Sequence, residues 1–254
     1  MKQPNFVLFL TIVSLAILAN PVLSASAPTF PPPINQGSLR FNDEAPKNSA
    51  NFMIVQFGQK TSYASFKNEK RAEITGIKIG DSSVEPNDPF TIEKGAKIEI
   101  HFSSHVQSLE SFFDRRIDPN VINIVSIDLS NFYSKEVIST RLMCYECLNL
   151  ESIDLSEFSP NALTNMESMF EGCEGLVSIN ISKIPTSSVI NTNSMFYGCL
   201  SLIQIDMSNL NLENAKEAEF MFYGLPALEY LILNEGLYSV QLKNKLLRIY
   251  LINL

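Results

Sequence analysis

Two side-chain groupings in this chain have the types and spacing to do chemistry, and a third could bind. Cys144 and Cys147 form a C-x-x-C. That pattern is a thiol redox centre when it sits beside a βαβ thioredoxin-like unit. No such unit surrounds it here, and Cys147 also opens a series with Cys173 and Cys199, each 26 residues from the next. Stacked at that interval, neighbouring Cα atoms would fall near the lower half of the roughly 4.4–6.8 Å disulfide window, although parallel Cβ vectors oppose a bridge. Cys144, Cys147, Cys173 and Cys199 are therefore read as structural, buried thiols, with a disulfide among the last three left open. His101 and His105 are the chain's two histidines. Without a helix or an acidic third ligand around them they do not make a metal site. No Ser-His-acid set and no glycine-rich phosphate loop can be assembled, so no cofactor, no metal and no enzymatic activity are expected.

The third grouping is polar and periodic. Ser126, Ser152, Ser178, Gln204 and Tyr230 recur at 26-residue intervals. So do Asp128, Asp154, Asn180 and Asp206, and after them Ser130, Ser156, Ser182 and Ser208, with Asn234 closing the last row. On strands about 4.8 Å apart these rows would form an acidic strip able to attract cations or basic groups. The competing reading is that Asp-x-Ser is turn grammar, the side chain bonding local backbone. For the face as a whole, partner binding is the expectation. Asn180-Ile-Ser182 is also an N-x-S sequon, which makes Asn180 a candidate glycosylation site.

The elements that must position these residues are written in the same period. Met143-Cys-Tyr-Glu-Cys147, Met169-Phe-Glu-Gly-Cys173, Met195-Phe-Tyr-Gly-Cys199 and Met221-Phe-Tyr-Gly-Leu225 are each followed by an apolar frame such as Leu176-x-x-Ile179-x-Ile181. A fixed period between 20 and 29 with this frame is a leucine-rich signature. The spacing predicts an α/β leucine-rich repeat solenoid of parallel strands and short helices over about 109–233. Thr164-Asn-Met-Glu167 reads as a capping box and Gly172 as a helix end, which brackets a short helix over 165–171. Leu109-Glu-Ser-Phe-Phe113 reads as a degenerate opening displaced by five inserted residues around 115–120. Ile127, Ile153, Ile179, Ile205 and Leu231 should align in one row.

The repeated phrase Met-Phe-x-Gly-Cys-x-x-Leu-x-x-Ile, complete at Met169 and Met195, resembles the BspA-like leucine-rich repeat surface proteins. Cys144 and Leu225-Pro226 depart from it. The resemblance implies a secreted or surface-exposed protein with an adhesion, matrix-binding or host-protein-binding role.

Residues 1–27 read as a signal peptide: Lys2, then an apolar run of 14 residues from Phe6 to Ala19, then Ser24-Ala-Ser-Ala27. As a helix that run rises only about 21 Å, short of a bilayer core of roughly 30 Å. Residues 28–50, with three consecutive prolines, read as a Pro-rich polar linker. The alternation over 51–108 reads as a β-rich N-terminal cap, and 234–254 as a C-terminal cap or tail. A net charge of −8 without a Lys/Arg block argues against nucleic acid and against an anionic membrane. The expectation is a secreted or cell-surface protein, not inserted in a membrane once the signal is removed, with an extracellular protein or glycan as ligand. Self-association as surface-coat material is the second reading, and a thiol oxidoreductase the third.

Overall fold

Alternation of apolar and polar residues builds the first half. In β1 (Phe52–Phe57) Met53, Val55 and Phe57 are buried and the residues between them half-buried, as side chains on opposite faces require. β2 (Thr61–Tyr63) pairs with β5 (Phe90–Ile92) as a small antiparallel unit. β3 (Ile74–Ile79) turns into β4 (Ser82–Val84) through Gly80-Asp81, with Gly80 at φ 58°. A two-residue hairpin needs that left-handed conformation. β6 (Lys97–Phe102) lies between β3 and β1. This computed structural model describes residues 51–66, 71, 73–103, 106–212 and 214–233. The expected signal peptide, linker and tail, and with them His105 and Asn234, lie outside the described residues.

The 26-residue units contribute β7 (Ile124–Asp128), β8 (Ser152–Asp154), β9 (Ser178–Asn180), β10 (Gln204–Met207) and β11 (Tyr230–Leu233). They do not form the α/β leucine-rich repeat solenoid that the spacing suggests. The largest sheet is mixed, in the order β4-β3-β6-β1-β7-β8, and only its β7–β8 pair is parallel. The supposed cap is part of this sheet, since β1 pairs antiparallel with both β6 and β7 and so covers the edge of the first unit. A separate three-stranded parallel sheet holds β9, β10 and β11. The row of isoleucines is thus two runs: Ile127 opposite Ile153, and Ile179, Ile205 and Leu231 side by side. Between β8 and β9 the backbone link shifts to Gly175 N–H donating to Leu148 O at 2.8 Å. A Cβ on Gly175 would sit 3.0 Å from that oxygen, a tight contact that glycine avoids.

The short helices are absent as well. Apart from Arg71, itself in a 3-10 conformation, the helical element among the described residues is a 3-10 turn over Pro119–Asn123, capped by the Asp118 side chain. None is long and apolar enough to cross a membrane. At 165–171 the capping box does not form: Thr164 Oγ1 donates to Ile138 O, and the Glu167 N–H goes to Asn165 Oδ1. Ser168 then takes φ 53° and ends any helix before it starts. Its equivalents Leu142, Ser194 and Phe220 have φ 54–57°. From there alternate N–H groups point to the next unit. Ser168, Phe170 and Gly172 donate to Asn193 O, Met195 O and Tyr197 O at 2.8–3.0 Å, while the N–H groups between them close tight turns. A helix would spend those donors internally; here they join one unit to another.

One apolar core fills the interior, and its aromatic rings stack along the units. Phe170, Phe196 and Phe222 lie 5.8 and 6.1 Å apart and nearly parallel. The five inserted residues fall between Arg115 and Ile124, in the stretch that contains the 3-10 turn. Ser111, with φ 55°, takes the role Leu142 has one unit later, and Phe113 N–H donates to Met143 O.

Candidate functional site

Each expected strand-face carboxylate stands at or one residue before the end of its own strand. Asp128, Asp154 and Asp206 accept the backbone N–H of Ser130, Ser156 and Ser208 at 2.8–2.9 Å, and Asn180 Oδ1 accepts that of Ser182 at 3.0 Å. A short polar side chain bonding the N–H two residues on is the turn expected of Asp and Asn, which explains why this position stays Asp or Asn. One oxygen of each carboxylate is committed to this bond and the second is not. The strip is also shorter than the spacing implied. Asp128 stands opposite Asp154, but Asp206 has Asn180 on one side and Ile232 on the other. Ser152 is opposite Ser126, whose hydroxyl donates to Gln56 Oε1 of β1 at 3.4 Å. Gln204 lies between Ser178 and Tyr230 in register. Asn180 is exposed, with its Oδ1 also accepting the Ser182 hydroxyl at 2.7 Å.

The cysteines turn inward. All four are free and buried. Cys147, Cys173 and Cys199 donate their S–H to Phe113 O, Cys144 O and Phe170 O, the turn carbonyls of the preceding unit, at 3.1–3.3 Å. No disulfide joins them. Burial raises every one of these thiols, Cys147 and Cys173 well above the ordinary value and Cys199 to about 12. The thiolate is the nucleophile in disulfide exchange, so protonated thiols shut away from solvent are poorly suited to it. A raised folded-state value also sets the sign of a pH effect. The stability these thiols contribute is complete below the unfolded value near 8.5 and is lost as pH rises from there through the folded values. Denaturant unfolding at pH 9 should therefore show lower stability than at pH 7, by roughly 1 kcal/mol for each buried thiol. Cys199→Ala should remove its share of that difference.

His101 Nε2 lies 3.0 Å from Glu99 Oε2, and its ring packs 5.2 Å from that of Phe52. No group of three His, Cys, Asp or Glu among the described residues is placed to hold a metal.

Two arrangements escaped the sequence reading. Arg71 is 2% exposed, and its guanidinium donates to Asp118 Oδ2 at 2.8 Å and to the carbonyls of Phe66 and Phe112. The ring of Phe66 lies 4.1 Å beneath it. Tyr63 is buried beside this pair, and among the described residues its hydroxyl has no partner in hydrogen-bond geometry. Burial first, then the Asp118 charge, pushes its phenol far above the ordinary value. The second arrangement lies on the turns, where a groove of about 350 Å³ is lined by Arg115, Glu146, Glu171, Glu174, Tyr197 and Leu200 among others. Its signal was the residue, half-buried or exposed, at a fixed place in each Met-Phe-x-Gly phrase. That position could be recognised as a surface row only once the turns were known to stack.

Comparison with curated proteins and with solved structures gives no match. A family model does match, over residues 99–234, from within β6 through the last described strand. That span is more than half of the chain, and the protein belongs to the family described as Mycoplasma protein of unknown function, DUF285.

Proposed function

We propose that this chain is an exported or surface-held binding protein without catalytic activity, which docks a macromolecular partner on the strand face bearing Asp128, Asp154, Asp206 and Tyr230. The observation that carries this reading is the turn repeated at the ends of four strands. It fixes each Asp or Asn in one orientation and leaves a second oxygen on every carboxylate for a ligand. Side chains already immobilised lose less entropy on binding. The resemblance to BspA-like surface proteins supports an adhesive or matrix-binding role, and the apolar run over 6–19 supports export. Burial of all four thiols argues against the oxidoreductase reading.

The test is capture from extracellular-matrix extract by the full chain and by Asp128→Asn/Asp154→Asn/Asp206→Asn/Tyr230→Ala. Asparagine keeps the turn bond, as Asn180 demonstrates, so folding should survive. The substituted chain should lose capture, and equal capture by both would sink the assignment. Localisation of a tagged chain with and without residues 1–27 tests export.

A further inference from the structure

The turn face is built of rows that repeat from unit to unit. Tyr145, Glu171, Tyr197 and Tyr223 occupy one position in successive units, and Leu148, Glu174 and Leu200 another. Between these rows come Glu146, Gly172, Gly198 and Gly224. The three glycines have φ of 70–73°, which explains the residue type. A Cβ on Gly198 would meet nothing within 4 Å, so the missing side chain also leaves the groove open there.

At the first unit this surface is already covered by arginines of the inserted segment. The Arg116 guanidinium lies 4.2 Å from the Tyr145 ring centroid, and Arg115 Nη1 donates to Glu146 Oε2 at 3.1 Å. Asp114, 1% exposed, holds Arg116 in place at 2.6 Å. Burial alone would raise the Asp114 carboxyl, but hydrogen bonds from the Arg116 side chain and backbone outweigh it and hold the carboxyl below its usual value. The Arg115–Glu146 pair lines the same groove.

Farther along, the same kind of surface has no such cover. Tyr197 and Tyr223 stack at 5.2 Å and 14°, and Tyr197 remains 38% exposed. Among the described residues no cation lies over either ring, and neither Glu171 nor Glu174 is in an ion pair. We propose that this groove binds an arginine-bearing extended segment of a basic protein, its guanidinium groups set against Tyr197 and between Glu171 and Glu174. Arginine suits it better than lysine, because a planar, weakly hydrated guanidinium stacks on an aromatic face and takes a carboxylate through two parallel N–H groups. The groove lies on the turns rather than the strand face, and the proposal does not depend on the reading above.

The test is calorimetric titration of the full chain with nona-arginine and nona-lysine peptides at physiological salt. Nona-arginine should bind the tighter of the two, and Glu171→Gln/Glu174→Gln/Tyr197→Ala should weaken it by roughly tenfold. Glu85→Gln/Glu157→Gln makes the same change in net charge at exposed positions elsewhere and should leave binding unaltered. Tyr197→Leu alone serves as a second probe should the triple variant fold poorly. No binding of nona-arginine overturns the proposal. So do equal affinity for both peptides or equal loss in both charge variants, which would reduce the effect to general attraction by an acidic chain. A dimer in sedimentation that the Tyr197 variants abolish would give the groove to a second copy, and would overturn it too.

Discussion

Asp118→Ala should lower the stability of this protein by roughly 3–5 kcal/mol, because it strands a buried guanidinium without its carboxylate. Arg71 would keep its bonds to the Phe66 and Phe112 carbonyls and its place over the Phe66 ring. Those dipoles do not replace a full opposite charge at 2.8 Å. Asp118 also accepts the Asn120 N–H at the start of the 3-10 turn, so that cap is lost as well. For a chain of this size the loss corresponds to a melting temperature lower by roughly 6–20 °C. Replacing both partners together, Arg71→Met with Asp118→Leu, should recover much of it, since a buried ion pair contributes little net stability over well-packed apolar side chains. Tyr63→Phe, which removes the unbonded hydroxyl next to the pair, should be close to neutral. A thermal melt decides among these. If Asp118→Ala melts with the wild type, the pair is not what holds the inserted segment to the N-terminal strands.

Phe196→Ala should be comparably severe, at roughly 3–5 kcal/mol. The ring is fully buried between Phe170 and Phe222, so truncation opens a cavity and removes both stacking contacts together. The damage should spread to either side, because the turn carrying Phe196 donates to Met221 O and accepts from Phe170 N–H through Met195 O. Hydrogen exchange at the amides of Phe170 and Phe196 should therefore speed up together. Exchange that rises at one amide and not at the other would show that the units open independently.

These expectations also mark what could be read from the residues alone. The 26-residue interval places Ile179 and Leu231 on either side of Ile205, and that register holds. Alternation likewise located β1, β3 and β6. The fold class was misread because Thr164-x-x-Glu167 and Gly172 have the composition of helix ends, whereas a left-handed serine at 168 leaves no helix to cap. Serine gives no warning of that conformation, which is held by bonds to a neighbouring unit and not by local preference. The mixed sheet was hidden too: β1 and β7 pair across about 70 residues, and nothing local announces it. Arg71 and Asp118 are separated by 47 positions, and no periodic pattern links the two stretches. Of the strand face, the Asp-x-Ser rows were visible as a pattern, while the bond each side chain makes to its own turn was one of two open readings.

The left-handed residues at Ser111, Leu142, Ser168, Ser194 and Phe220 carry a consequence for how such a protein changes length. Each is uphill for an isolated peptide by roughly 1–2 kcal/mol and is tolerated where amides reach across to an adjoining turn. Removing or duplicating a whole module would preserve every one of those reaches; removing a fraction of one would misalign all that follow. The insertion found among the described residues, five residues wide, stands upstream of the first intact module, next to the antiparallel strands. Growth and shrinkage of this architecture are accordingly quantised, with a seam beside the antiparallel strands at which odd lengths can be hidden.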